Sequence, residues 1–172
     1  MYRNGPVALA LLMVFALMAC QPREPAGLSI HLLADDVPAS ELSSLDLAEI
    51  ELQDEPIVFG PDIITYSEGT HDIELTAEAY ARIQNLFGLP VRVSGMPFVV
   101  SVGDERVYAG AFWTPASSLS FDGLVILQPF DPERRIIRIA LGYPSPQLFR
   151  GPDPRSDERI LRSLRAAGKL KP

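Results

Sequence analysis

Few side chains in this sequence could do acid–base, nucleophilic or ligating chemistry. Histidine occurs at two positions, His31 and His71, and cysteine only at Cys20. His31 falls in the apolar run Leu28 to Leu33, and His71 beside the turn-like Ser67-Glu68-Gly69-Thr70. Either could pair with a nearby aspartate, Asp35 or Asp72. Neither stands in a nucleophile elbow or a zinc-helix motif. The carboxylate pairs Asp35-Asp36 and Asp54-Glu55 are adjacent in sequence, which does not place them across a substrate. The calcium-loop spacing is missing. One cysteine allows neither a disulfide within the chain nor a cysteine metal cluster. The expectation is a protein that is not an enzyme and needs no metal or cofactor. The richest remaining segment is Phe112 to Asp122. It sets Trp113 and Phe121 beside Thr114, Ser117, Ser118, Ser120 and Asp122. Aromatics among hydroxyls could hold a sugar, a peptide or an apolar ligand. The simpler reading makes the aromatics core and the hydroxyls local turn bonds. Trp113, Ser117, Ser118 and Asp122 are the candidate ligand or partner contacts.

The one thiol has a more definite context. Met1 to Gly5 carries a single charge, Arg3, and Pro6 to Ala19 is a 14-residue uncharged apolar run. A membrane-spanning helix needs roughly 20 residues. A short apolar run closing on small residues reads as a cleavable secretion signal. It closes on Leu17-Met18-Ala19-Cys20, which resembles the bacterial lipobox. The resemblance implies cleavage before Cys20 and lipidation of its thiol. Two or more acyl chains hold a protein stably at a membrane, where one does not. Gln21 to Gly27 (QPREPAG) then reads as a short, semi-rigid tether. Its full stretch is roughly 20 Å. The expected location is extracytoplasmic and lipid-anchored, with inner and outer membrane both open.

Charge narrows the partners. The formal net charge is −7; without Arg3 the mature part carries 14 bases against 22 acids, or −8. Nucleic acid is an unsuitable partner for such a chain, because phosphate contact needs a basic face. The charges are also segregated. Asp35 to Glu78 holds thirteen acids and no Lys or Arg, whereas Arg150 onward holds seven bases and three acids. Such runs are mostly solvated faces. Two sharper readings have the basic segment docking on the acidic half, or touching anionic headgroups near the tether.

The apolar periodicity supplies the elements that must position these groups. Leu28 to Leu33, Leu45 to Leu52, Ile63 to Tyr66 and Ile73 to Leu75 read as strands, the last two as a hairpin. Ile57 to Phe59 is a short apolar run. A helix opens at the cap Thr76 with the stripe Ala79, Ile83, Leu86 and Phe87, and ends at Gly88 and Pro90. Pro97 to Val102 and Arg106 to Trp113 form a hairpin around Gly103-Asp104-Glu105. Leu124 to Leu127 and Arg135 to Leu141 are further strands. Gly142 to Pro154 is an extended connector. A second helix runs from a Ser156 cap to Ala167, with Gly168 beyond. The fold expected is α+β: a mostly antiparallel sheet with one helix packed across it and a C-terminal helix.

Residues 62 to 128 resemble the extracytoplasmic head domain of the SecDF protein-export subunits. The shared order is a strand, a Leu75-Thr76 helix start, a helix with Tyr80 and Phe87, and the hairpin Phe98 to Val107 continuing into Tyr108 to Ala111. The family's Asp-Gly turn is reversed here to Gly103-Asp104. The resemblance implies a similar fold and contact with unfolded or exported chains. The division expected is a signal peptide at 1–19, a lipid-anchored tether at 20–27, an α+β domain at 28–149 and a basic helical segment at 150–172. The function expected is a non-catalytic interaction domain of the cell envelope with a protein partner. The alternative is small-ligand binding through the 112–122 loop.

Overall fold

A computed structural model describes residues 27–172. The signal segment, Cys20 and most of the tether lie outside the described residues. The architecture is a mixed α/β fold dominated by an eight-stranded, mostly antiparallel sheet. The strands are β1 (Leu28–Leu32), β2 (Ile63–Ser67), β3 (Asp72–Leu75), β4 (Met96–Val102), β5 (Glu105–Trp113), β6 (Phe121–Leu127), β7 (Ile136–Tyr143) and β8 (Leu170–Lys171), with helices α1 (Ala77–Asn85) and α2 (Glu158–Ala166). The order across the sheet is β1-β4-β5-β6-β7-β3-β2-β8. Two pairings are parallel, β5 with β6 and β2 with β8.

Alternation along the strands sends large apolar side chains to one face. Phe98, Val100, Phe112, Leu124, Ile126, Ile137 and Ile139 form the main core with Ala79, Tyr80 and Ile83 of α1 and Ile160, Leu161 and Leu164 of α2. The alternate residues, Val99, Ala109, Ala111, Trp113 and Val125, face the other way and are covered by residues 33–52. Gly110 lets β5 approach its neighbours. A Cβ there would lie 2.6 Å from the Phe98 ring and 2.7 Å from the Leu124 carbonyl oxygen.

Several expected elements stand, others are corrected. Both hairpins form, with Ser67↔Asp72 and Val102↔Glu105 closing them. Thr76 caps α1 by accepting from the Ala79 N–H at 3.3 Å. The expected strand Leu45 to Leu52 is not one. Asp46 turns the chain there, its carboxylate accepting from the Ala48 N–H (2.9 Å) and its carbonyl from the Glu49 N–H (2.9 Å). The alternation of Leu47, Ile50 and Leu52 serves an irregular coat, with a single bridge from Leu52 to Leu33. Val58 of the short run Ile57 to Phe59 bridges to Ile30. The cap of α2 is Asp157, not Ser156, because Asp157 accepts from the Arg159 N–H at 2.9 Å. The C-terminal segment shares the main core through α2 and the sheet through β8.

Candidate functional site

The 112–122 segment is divided by the sheet. Phe112 and Trp113 end β5, and Phe121 and Asp122 begin β6. Since these strands are parallel neighbours, residues 114–120 must carry the chain back along the sheet. Trp113 is 2% exposed. Its ring stacks on Phe121 at 5.3 Å and leans on Tyr143 at 5.7 Å. Its indole Nε1 is buried with no hydrogen-bond partner among the described residues. Ser117 is buried too: its hydroxyl donates to the Val93 carbonyl (2.7 Å) and accepts from the Leu119 N–H (3.2 Å). Trp113 therefore packs and Ser117 fixes the turn. Ser118 and Asp122 are the two candidates that reach solvent.

Asp122 opens onto a groove of about 210 Å³. Ser40, Ser43, Gly123 and Arg150 share its walls, and Leu42 and Phe121 its apolar part. The Arg150 N–H donates to the Asp122 carbonyl at 2.9 Å, which joins the connector to β6. Ser40, Ser43 and Arg150 carry no sequence motif. They meet Asp122 only because the 39–44 turn and the 142–154 connector both fold against the start of β6. A larger cleft, about 420 Å³, lies within the coat. Leu33, Val37, Leu45 and Ile50 supply its apolar lining, and Asp35, Asp46, Glu49 and Glu51 its acids. In the sequence these acids read as a solvated run or as a docking face for the basic segment, not as the lining of a cleft.

The histidines are engaged structurally. His31 Nδ1 lies 3.1 Å from the Gln53 carbonyl oxygen, tying β1 to the coat. His71 sits at φ 55°, the left-handed region that histidine tolerates better than most residues. Its N–H donates to the Ser67 carbonyl (2.8 Å), and its carbonyl accepts from the Ile139 N–H (3.1 Å). Its Nδ1 is 3.0 Å from the Tyr66 hydroxyl, which donates to the Arg155 carbonyl at 3.2 Å. One phenolic proton can serve only one of these contacts, so both hold together when His71 Nδ1 carries its own proton. Arg155 grips Asp153 with two side-chain bonds (2.9 and 2.7 Å) and donates to the Ile139 carbonyl (2.9 Å).

Burial, and then the Arg155 charge, push the His71 pKa down. Burial pushes that of Tyr66 up. Asp72 is committed elsewhere, to Arg138 at 2.5 and 2.9 Å and to the Thr70 hydroxyl at 2.9 Å. A phenol that is 0% exposed and hard to ionise is not a nucleophile within a substrate's reach. The cluster fastens the β2–β3 turn to the connector before α2. No group of His, Cys, Asp and Glu among the described residues is arranged to hold a metal ion, and no described helix is long and apolar enough to cross a membrane.

Comparison with known proteins adds no identity: no family model, no curated protein and no solved structure matches the chain.

Proposed function

We propose that this protein is a lipid-anchored extracytoplasmic lipoprotein whose folded domain is a non-catalytic interaction module of the cell envelope. The position of Cys20 carries the reading. It is the only cysteine, it closes the apolar run in Leu17-Met18-Ala19-Cys20, and it stands eight residues before Leu28, where β1 begins. A folded domain held roughly 20 Å from a lipid anchor works at the membrane surface. The side chains with catalytic potential support the non-catalytic part, since His31, His71 and Tyr66 are spent on structural bonds.

The first test is intact-mass analysis of the membrane-extracted protein, with metabolic labelling by a fatty-acid analogue. The expected N-terminus is an acylated Cys20, and Cys20→Ser abolishes labelling. An unmodified Cys20 sinks the reading. The second test is photo-crosslinking in cells from the exposed position 118. A discrete protein adduct supports an interaction module.

A second reading, small-ligand binding, is favoured by one observation. Asp122 and Arg150 both line the 210 Å³ groove, and a carboxylate with a guanidinium suits a small polar ligand. It takes precedence if position 118 yields no protein adduct and a small polar compound raises the melting temperature of the wild type but not of Asp122→Asn.

A further inference from the structure

Part of the charge segregation becomes opposite faces of the sheet, although Arg150 lines the groove on the coat side and Glu78 is exposed on α1. Residues 35–52, with six acids and no base, coat the face of β4–β6 that carries Val99, Ala111, Trp113 and Val125. Helix α2 packs by Ile160, Leu161 and Leu164 into the core on the other face. Its outward residues include Arg162, Arg165 and Ala166, all exposed. Arg162 and Arg165 are three apart and share one helix face.

Internal pairing sharpens this contrast. From Asp157 to the end the chain has five bases and two acids. Asp157 is committed to Arg159 at 2.9 and 2.8 Å. That pairing holds its carboxyl down at a pKa of about 2. Asp153, just upstream, is committed to Arg155. On α2 only Glu158 is left to oppose Arg162 and Arg165. Glu105 at the hairpin tip lies 3.7 Å from Arg159, and Lys171 lies 4.0 Å from Glu74.

The tether leaves the domain beside this helix. Gly27, where it ends, accepts from the Gly103 N–H at 3.1 Å. Gly103 belongs to the same hairpin tip as Glu105, which meets Arg159 at the start of α2. On its other side Gly27 touches Gly60: a Cβ at Gly27 would lie 3.7 Å from the Gly60 Cα. The Gly60 carbonyl accepts from Lys169, just past the end of α2. Gly27 is thus linked through two successive contacts to each end of α2.

We propose that the tethered domain lies with the Arg162/Arg165 face of α2 against anionic lipid headgroups and its acidic 35–52 coat turned away. The proposal rests on Cys20 being lipidated. A chain of net charge −7 would not seek such a surface from solution. Held there by its anchor, it has only to choose an orientation, since tethering already supplies the local concentration. A helix and a sheet layer place the acidic coat roughly 20 Å behind the basic face. That exceeds the Debye length of about 8 Å, so the coat's repulsion is screened in this pose and felt in the reverse one. Each basic residue near an anionic leaflet favours contact by roughly fivefold. Two arginines offset by Glu158 give a preference on the order of tenfold.

The test uses the full chain, produced in cells, extracted and reconstituted in two vesicle types, one of neutral phosphatidylcholine and one with a third phosphatidylserine. Once acylated, Cys20 leaves no native thiol, so a fluorophore can be placed singly through Ala166→Cys on α2 or Ser43→Cys on the coat. A headgroup-bound quencher should dim position 166 far more than position 43 on the anionic vesicles, and about equally on the neutral ones. Arg162→Glu with Arg165→Glu should erase the preference. Arg162→Lys with Arg165→Lys should keep it, and high salt should weaken it. Matching circular dichroism and melting temperatures show that the variants fold. Equal quenching at both positions on anionic vesicles, with Cys20 shown by mass to be acylated, overturns the orientation alone. An unmodified Cys20 overturns the anchor, and the orientation with it.

Discussion

The two faces of the central sheet are built by different means. The inner face carries Phe98, Phe112, Ile126 and Ile139, fully or almost fully buried under two helices in one continuous cluster. The outer face carries small residues, Ala109 and Ala111 among them, around one aromatic group of Trp113, Phe121 and Tyr143. Its cover, residues 33–52, has little regular structure and is held by a few polar ties. Arg106 donates to the Leu47 carbonyl at 2.6 Å, and Arg92 donates to the Val37 carbonyl at 3.1 Å and pairs with Asp36. Interdigitated large side chains specify a rigid layer. Small ones with polar pins allow a cover that can loosen on its own.

This contrast can be broken most forcefully in the two cores. Phe98→Ala should lower the unfolding free energy by about 4 kcal/mol and Trp113→Ala by about 3 kcal/mol, because the irregular cover over Trp113 can collapse into the space. Denaturant unfolding would read both, and an equal or larger loss at Trp113 would make the outer face as rigid as the inner.

A smaller effect tests the pins. Arg106→Ala should cost about 1 kcal/mol. It should also speed amide exchange across residues 33–52 while leaving α1 and α2 protected. Uniform acceleration would show that the coat and the core open together.

The smallest effect lies on the inner side, at the Tyr66–His71 tie. The folded pKa of His71 falls below its ordinary value of 6.5. The unfolded chain therefore binds more protons once the pH drops through that range, and stability declines on acidification. His71→Gln should flatten the melting-temperature profile there; an unchanged profile would assign the decline to other groups.

Much of the inner face was legible in the residues. The alternation of β4, β5 and β7, the Thr76 cap and the stripe Ala79–Ile83 each carry a local signal, and each element forms. The outer face was not. Leu45 to Leu52 alternates like a strand, yet Asp46 supplies a turn bond that competes with strand pairing. Trp113 among hydroxyls read either as a ligand contact or as core, and only the enclosing rings of Phe121 and Tyr143 select the core. Ser156 read as the cap of α2, but the bond to the Arg159 N–H gives that role to Asp157, one residue on.

The sequence by itself determined the helices and most of the strands, because these rest on signals spanning a few neighbouring residues. It also determined that acid and base are segregated along the chain. Only the tertiary structure decided that residues 35–52 and α2 lie on opposite faces of the sheet, that β8 joins β2, and that Asp122 and Arg150 line one groove. Those outcomes depend on contacts such as Arg106 with Leu47, 59 residues apart, and Lys169 with Gly60, 109 residues apart. Such pairings are chosen by the packing of the whole sheet, for which a local pattern holds no information.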